Sequence, residues 1–190
     1  MKIGVLALQG AFREHKRAFE RLGAEVVEVR LPEHLAGVDG LVIPGGESTT
    51  IAKLMNAYRL DEAVPEFYRA GGALWGTCAG AITLARDIVG FPQQPRLNLL
   101  DISVERNAYG RQLASFEAGL EVEGFDKPFE AVFIRAPRIA QTGPAVKVVA
   151  RYDGDAVMVA HERLLATVFH PELSGDDRVH RYFLELVKSS

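Results

Sequence analysis

A chain of 190 residues, 48% hydrophobic and 25% charged, has the composition of a globular protein with a sizeable core, and a net charge of −3 with a pI near 6.0 argues against a nucleic-acid partner. The single cysteine excludes an internal disulfide and fits a reducing, cytosolic compartment. No apolar stretch is long enough to span a bilayer, so no membrane role is expected.

The first apolar run, Ile3 to Leu8, is short and is followed at once by Gln9-Gly10 and the charged stretch Arg13 to Arg17. It reads as a β-strand buried on both faces rather than as a signal peptide. Ala11 to Leu22 reads as an amphipathic helix closed by Gly23. Glu25 to Val29 and Gly40 to Ile43 read as the second and third strands, the latter stopped by Pro44-Gly45-Gly46. Ser48 or Thr49 is the expected cap of a helix running to Tyr58, and Asp61 to Ala70 forms another. Ala73 to Trp75 is a short strand, and Ala79 to Asp87 the helix after it. This alternation predicts a mostly parallel, doubly wound sheet. The second half is richer in strands: Leu99 to Glu105, Leu113 to Val122, Ala131 to Ile134, Lys147 to Tyr152, Ala156 to Ala160 and Leu164 to Phe169. Asp153-Gly154 marks a hairpin turn, and Asp176 to Lys188 is a closing amphipathic helix. With no repeat and no linker, residues 1–190 read as one domain.

Gly76-Thr77-Cys78-Ala79-Gly80, between a strand and a helix, is the thiol form of the nucleophile elbow. The following helix turns its partial positive end toward the sulfur, and the Ala79 N–H faces a developing oxyanion. The competing reading is a buried structural cysteine. A cysteine nucleophile needs a histidine base and a group to orient it. Of the five histidines, His15, His34 and His180 lie in polar surroundings and are expected at the surface, while His161 lacks a well-placed acid. His170 ends an apolar strand, and Glu172 lies two residues on, on the same side if the chain stays extended through Pro171. The alternative is a solvated His and Glu at a strand end. No metal-ligand spacing of Cys and His is present.

Together these motifs resemble the class I glutamine amidotransferases, and within them the glutaminase subunits of pyridoxal 5′-phosphate synthase. The resemblance spans the chain. It is carried by Leu6 to Ala11 with Glu14-His15, Pro44 to Thr50, Gly76 to Gly80, Arg106 to Gln112 with Ser115-Phe116, Phe133 to Pro137 and Phe169 to Leu173. It implies a three-layer αβα, flavodoxin-like fold and hydrolysis of L-glutamine by Cys78, His170 and Glu172, without a cofactor or metal. It implies an oxyanion hole at Gly46 and Ala79, and substrate contacts from Gly46, Glu47, Ser48, Arg106, Ile134 and Arg135. It also implies ammonia delivery to a synthase subunit, a (β/α)₈ barrel, within a large hetero-oligomer. These roles suit the chemistry: Gly45-Gly46 admits a close approach of backbone to substrate, and the arginines offer planar forks to a carboxylate.

Overall fold

The computed structural model describes residues 1–108 and 115–189. Alternating strands and helices open the chain: β1 (Lys2–Leu6), α1 (Phe12–Arg21), β2 (Glu25–Val29), β3 (Gly40–Ile43), α2 (Ser48–Ala57), α3 (Leu60–Arg69), β4 (Ala73–Thr77) and α4 (Ala79–Leu84). Shorter sheets and hairpins follow: β5 (Ala85–Ile88), β6 (Leu100–Glu105), β7 (Ser115–Leu120), β8 (Phe129–Ile134), β9 (Arg138–Thr142), β10 (Lys147–Tyr152), β11 (Asp155–His161), β12 (Leu164–Thr167), and finally α5 (Arg178–Lys188).

Among the described residues, seven strands form the central sheet in the order β10-β11-β12-β4-β3-β1-β2. The pairs from β2 to β12 are parallel, and β11 and β10 add an antiparallel edge. This is the expected mostly parallel mixed sheet. Its inner strands are buried throughout, which is why they read as continuous apolar runs rather than as alternating ones. On β4, Trp75 packs against Phe19 of α1 and Phe183 of α5, while a Cβ at Gly76 would strike the backbone of α4 at Gly80. Neighbouring strand residues point to opposite faces, so helices cover both sides of the sheet.

Four expectations change. The helix after the elbow ends at Leu84, and Ala85 turns extended (φ −61°, ψ 151°) to start β5, which pairs with β6. Every residue from Ala79 to Leu84 is buried, so this short apolar run carries no helical period to mark its end. Strand β9, which opens on Arg138 and ends on Gln141-Thr142, has little apolar signal and was not expected; pairing with β6 forms it. The cap of α2 is Glu47, not Ser48 or Thr49: its carboxylate accepts from the amides of Thr49 (3.1 Å) and Thr50 (2.7 Å). His15 and His180, expected at the surface, are both fully buried. His15 shares the inward stripe of α1 with Ala18 and Phe19, and His180 shares that of α5 with Phe183, Leu184 and Val187. Flanking charged residues hide this helical spacing from a local reading.

The predicted hairpin is present between β10 and β11, with both Asp153 (φ 48°) and Gly154 (φ 85°) left-handed as its tight turn requires. Leu113 and Ala114, placed in a strand by the sequence, lie outside the described residues, as do Tyr109 to Gln112 of the Arg106–Gln112 motif.

Candidate active site

Parallel strands end together at one edge of a sheet, and β1, β3, β4 and β12 bring Gln9, the Gly45–Glu47 loop, Cys78 and His170 to the same edge. Cys78 and His170, far apart in sequence, are brought together by the β4–β12 ladder, in which Thr77 pairs with Thr167 and the Cys78 amide donates to the Thr167 carbonyl at 2.8 Å.

Cys78 sits at φ 52°, ψ −105°, a conformation that a side chain rarely adopts and that surrounding packing must enforce. The packing is visible at the two flanking glycines. A Cβ at Gly76 would collide with the Gly80 carbonyl, and one at Gly80 with the Ile43 carbonyl. The thiol is buried and faces the Ile134 carbonyl at 3.9 Å. Ala79 is the first residue of α4, so its amide belongs to the first turn, which has no intrahelical acceptor.

His170 is held by its own amide, which donates to the Val132 carbonyl at 2.7 Å. The chain does not stay extended after it: Pro171–Leu173 is a single 3₁₀ turn. That turn, not strand alternation, carries the Glu172 carboxylate back to His170, with Oε1 at 2.6 Å from Nδ1. Burial alone would push the imidazole's pKa down; hydrogen bonds to Cys78 and Glu172 outweigh it and hold the value up at about 10. A Cβ on Gly45 would lie 2.6 Å from His170 Cε1 and 3.4 Å from Cys78 Cβ, so glycine is the residue that leaves the imidazole room beside the sulfur.

A pocket of about 530 Å³ opens over Cys78. Gly46, Glu47, Ser48, Ala79, Arg106, Ile134, Arg135 and His170 all line it, so the structure brings the sequence-predicted residues together, with Glu172 behind His170. Arg135 stands at positive φ (44°), as does Asn107 (51°), which also lines the pocket. The Glu47 carboxylate is spent on the two threonines of α2, whose hydrogen bonds lower its pKa to about 2.

Gln9 lines the wall, and Gln94 holds two of its residues. Gln9 accepts from the Glu47 amide at 2.9 Å, tying the first loop to the glycine loop. Gln94 accepts from Arg106 Nη1 (2.7 Å) and donates to Ser48 Oγ (3.0 Å), so one buried amide orients two pocket residues. Arg106 also lies over the Phe91 ring at 4.3 Å. Gln94 lies in an irregular segment with no periodic or motif signal, so sequence reasoning missed it. Among the described residues, no group of three His, Cys, Asp or Glu side chains has metal-holding geometry, and no helix is long and apolar enough to cross a membrane.

The sequence pattern of the SNO glutamine amidotransferase family matches residues 5–189. The chain belongs to the SNO glutamine amidotransferase family. Among its relatives, a Deinococcus radiodurans protein named pyridoxal 5′-phosphate synthase subunit PdxT is 56% identical over 190 residues, covering 98% of this chain and 97% of that one. A Thermus thermophilus protein of the same name is 58% identical over 185 residues, covering 97% and 96%. A solved structure of a glutamine amidotransferase superposes with a TM-score of 0.94 at 55% identity, over 98% of each chain. PurLQS from Thermotoga maritima, at 20% identity and a TM-score of 0.68, shares the fold. In this member of the family the elbow, the His-Pro-Glu turn and the glycine loop meet around one pocket.

Proposed function

We propose that this chain is the glutaminase subunit of a pyridoxal 5′-phosphate synthase, a single amidotransferase domain working in the cytosol. It hydrolyses L-glutamine to L-glutamate and ammonia and hands the ammonia to a (β/α)₈ synthase subunit within a hetero-oligomer. The observation that carries this reading is the strained Cys78 at the head of α4, beside the buried His170–Glu172 pair, under a pocket lined by Arg106 and Arg135. The names of the relatives support the pathway.

In the proposed reaction the Cys78 proton has already passed to His170, and the sulfur anion bonds to the side-chain amide carbon of glutamine as the C=O π electrons move to oxygen. The amides of Gly46 and Ala79 stabilise the oxyanion. His170 returns the proton to the nitrogen, the C–N bond breaks, and ammonia leaves a γ-glutamyl thioester. Water then adds to the thioester carbon and gives its proton to His170. The C–S bond breaks, glutamate departs, and the site returns to its starting state with the proton on His170 and the negative charge on sulfur. Glu172 fixes the imidazole tautomer throughout. Glutamine's zwitterionic end is held by Gly46, Glu47, Ser48, Arg106, Ile134 and Arg135, with the guanidinium groups suited to its carboxylate and Glu47 contributing through its main chain.

The test is ammonia release from glutamine by the purified chain, alone and with its cognate synthase subunit. The expected result is strong stimulation by the partner and no turnover from Cys78→Ala. Wild-type rates in that variant, or no ammonia from the folded complex, would refute the reading.

A further inference from the structure

Behind the triad, on the sheet face away from α4, lie two buried histidines that the proposed reaction does not use. His15 of α1 places Nδ1 2.9 Å from His180 Nε2 of α5, and its own Nε2 stands 3.3 Å from Thr77 Oγ1 and 3.4 Å from Glu172 Oε2. That carboxylate oxygen is the one His170 does not engage; it is buried and has no hydrogen-bond partner among the described residues. A buried carboxylate oxygen left without a donor is costly. We propose that His15 and His180 are positioning residues for the triad: His15 Nε2–H faces the free oxygen of Glu172, and His180 Nε2–H locks His15 in the tautomer that allows this.

The geometry selects between the two possible proton arrangements. If His15 carried its proton on Nδ1, its Nε2 lone pair would face the carboxylate, and His180 would bear its proton on Nδ1, a buried atom without a partner. With both protons on Nε2, His180 donates to His15, His15 donates toward Glu172 and Thr77, and the unpaired atom is merely an acceptor. The pair is neutral: burial, then His180 and His170, push the His15 pKa well down, and burial holds His180 at about 3. The groups facing it are Thr77 and Trp75 of β4, Glu172 and, further off, His170 around His15, and Asp177 and Arg21 around His180. A neutral donor steadies the Glu172 carboxylate without competing, as a second cation, for its pairing with His170.

This inference rests on the reading of Cys78, His170 and Glu172 as the catalytic set, and the two are tested separately. Nitrogen-resolved NMR of the imidazoles in the intact wild-type chain at neutral pH should find both histidines neutral with the proton on Nε2. An Nδ1–H tautomer or an imidazolium at His15 overturns the relay whatever the activity. With the synthase subunit present, His15→Phe should lose about tenfold in kcat with KM within about twofold, as expected for lost orientation rather than lost binding. His15→Gln, whose amide nitrogen reaches the position of Nε2, should recover most of the rate. Unchanged kcat in His15→Phe, or a Gln variant no better than Phe, overturns the positioning role. Should the Phe variant fail to fold, the tautomers of the wild-type chain and the rate of the Gln variant still decide. Absence of ammonia release from the wild-type complex would strike the glutaminase reading alone.

Discussion

Gly45 shows how tightly single atoms constrain the site. One added methyl at this position would lie 2.6 Å from Cε1 of the His170 ring and 3.2 Å from Nδ1, the atom that Glu172 engages. Catalytic geometry tolerates little displacement, and a shift of about 1 Å costs on the order of 100-fold in rate. Gly45→Ala is therefore expected to lose on the order of 100-fold in kcat while its thermal melt stays cooperative. Parallel measurement of ammonia release and unfolding checks this, and a fully active, stable Gly45→Ala would show that the loop yields instead. The same scale separates what residue types reveal from what they conceal. Cys78 between two glycines announces itself, because few other arrangements need that spacing. His15 does not, because a histidine among charged neighbours reads as a surface group until its helix is docked.

At the scale of elements, α2 links the glycine loop to the fold. Its cap is a glutamate whose two oxygens take the Thr49 and Thr50 amides and hydroxyls, so the residue that enters the pocket wall also starts the helix. Glu47→Ala should lower unfolding stability by about 1 kcal/mol, the usual cost of a lost cap. The carboxylate's folded pKa is depressed to about 2 against an ordinary 4.5, so this contribution is complete above pH 4.5 and is lost as pH falls through about 2. Denaturant titrations of both proteins near neutral pH provide the check; equal midpoints would mean that water replaces the cap without loss. The turn after His170 teaches a related lesson. An extended chain through Pro171 would set Glu172 on the same side as His170, but it is the 3₁₀ turn that lets these residues two apart touch.

Across the whole molecule, the buried histidines set opposing pH dependences. His15 and His180 stay neutral in the folded protein while their unfolded forms protonate near pH 6.5, so their stabilisation is complete above that value and is lost as pH falls, toward about 3 for His180. His170 works in the other sense. Its raised value of about 10 makes its contribution complete below pH 6.5 and removes it as pH rises through about 10. Stability should peak near pH 6.5, with Tm falling between about pH 6 and pH 4 as the two helices α1 and α5 lose their shared buried contact. A pH series of thermal melts tests this, and a flat acid arm would show that the histidine pair protonates without unfolding cost.

The amino-acid sequence by itself determined the element order from β1 to the start of α4, the elbow, the glycine loop and the His-Pro-Glu unit. Each is written in contiguous residues whose spacing has a local physical cause: apolar runs for buried parallel strands, small residues where backbones meet, a proline that ends a strand. What lay beyond it was decided by pairing across distance. The choice of β12 as the neighbour of β4 brings His170 to Cys78. The break of the elbow helix into β5 comes from a partner strand, not from its own residues. Gln94 joins Arg106 to Ser48 only once a loop is folded over the pocket. The burial of His15 and His180 exists only because α1 and α5 pack side by side on the same face of the sheet, where desolvation and one shared hydrogen bond, rather than the neighbours in sequence, set their state.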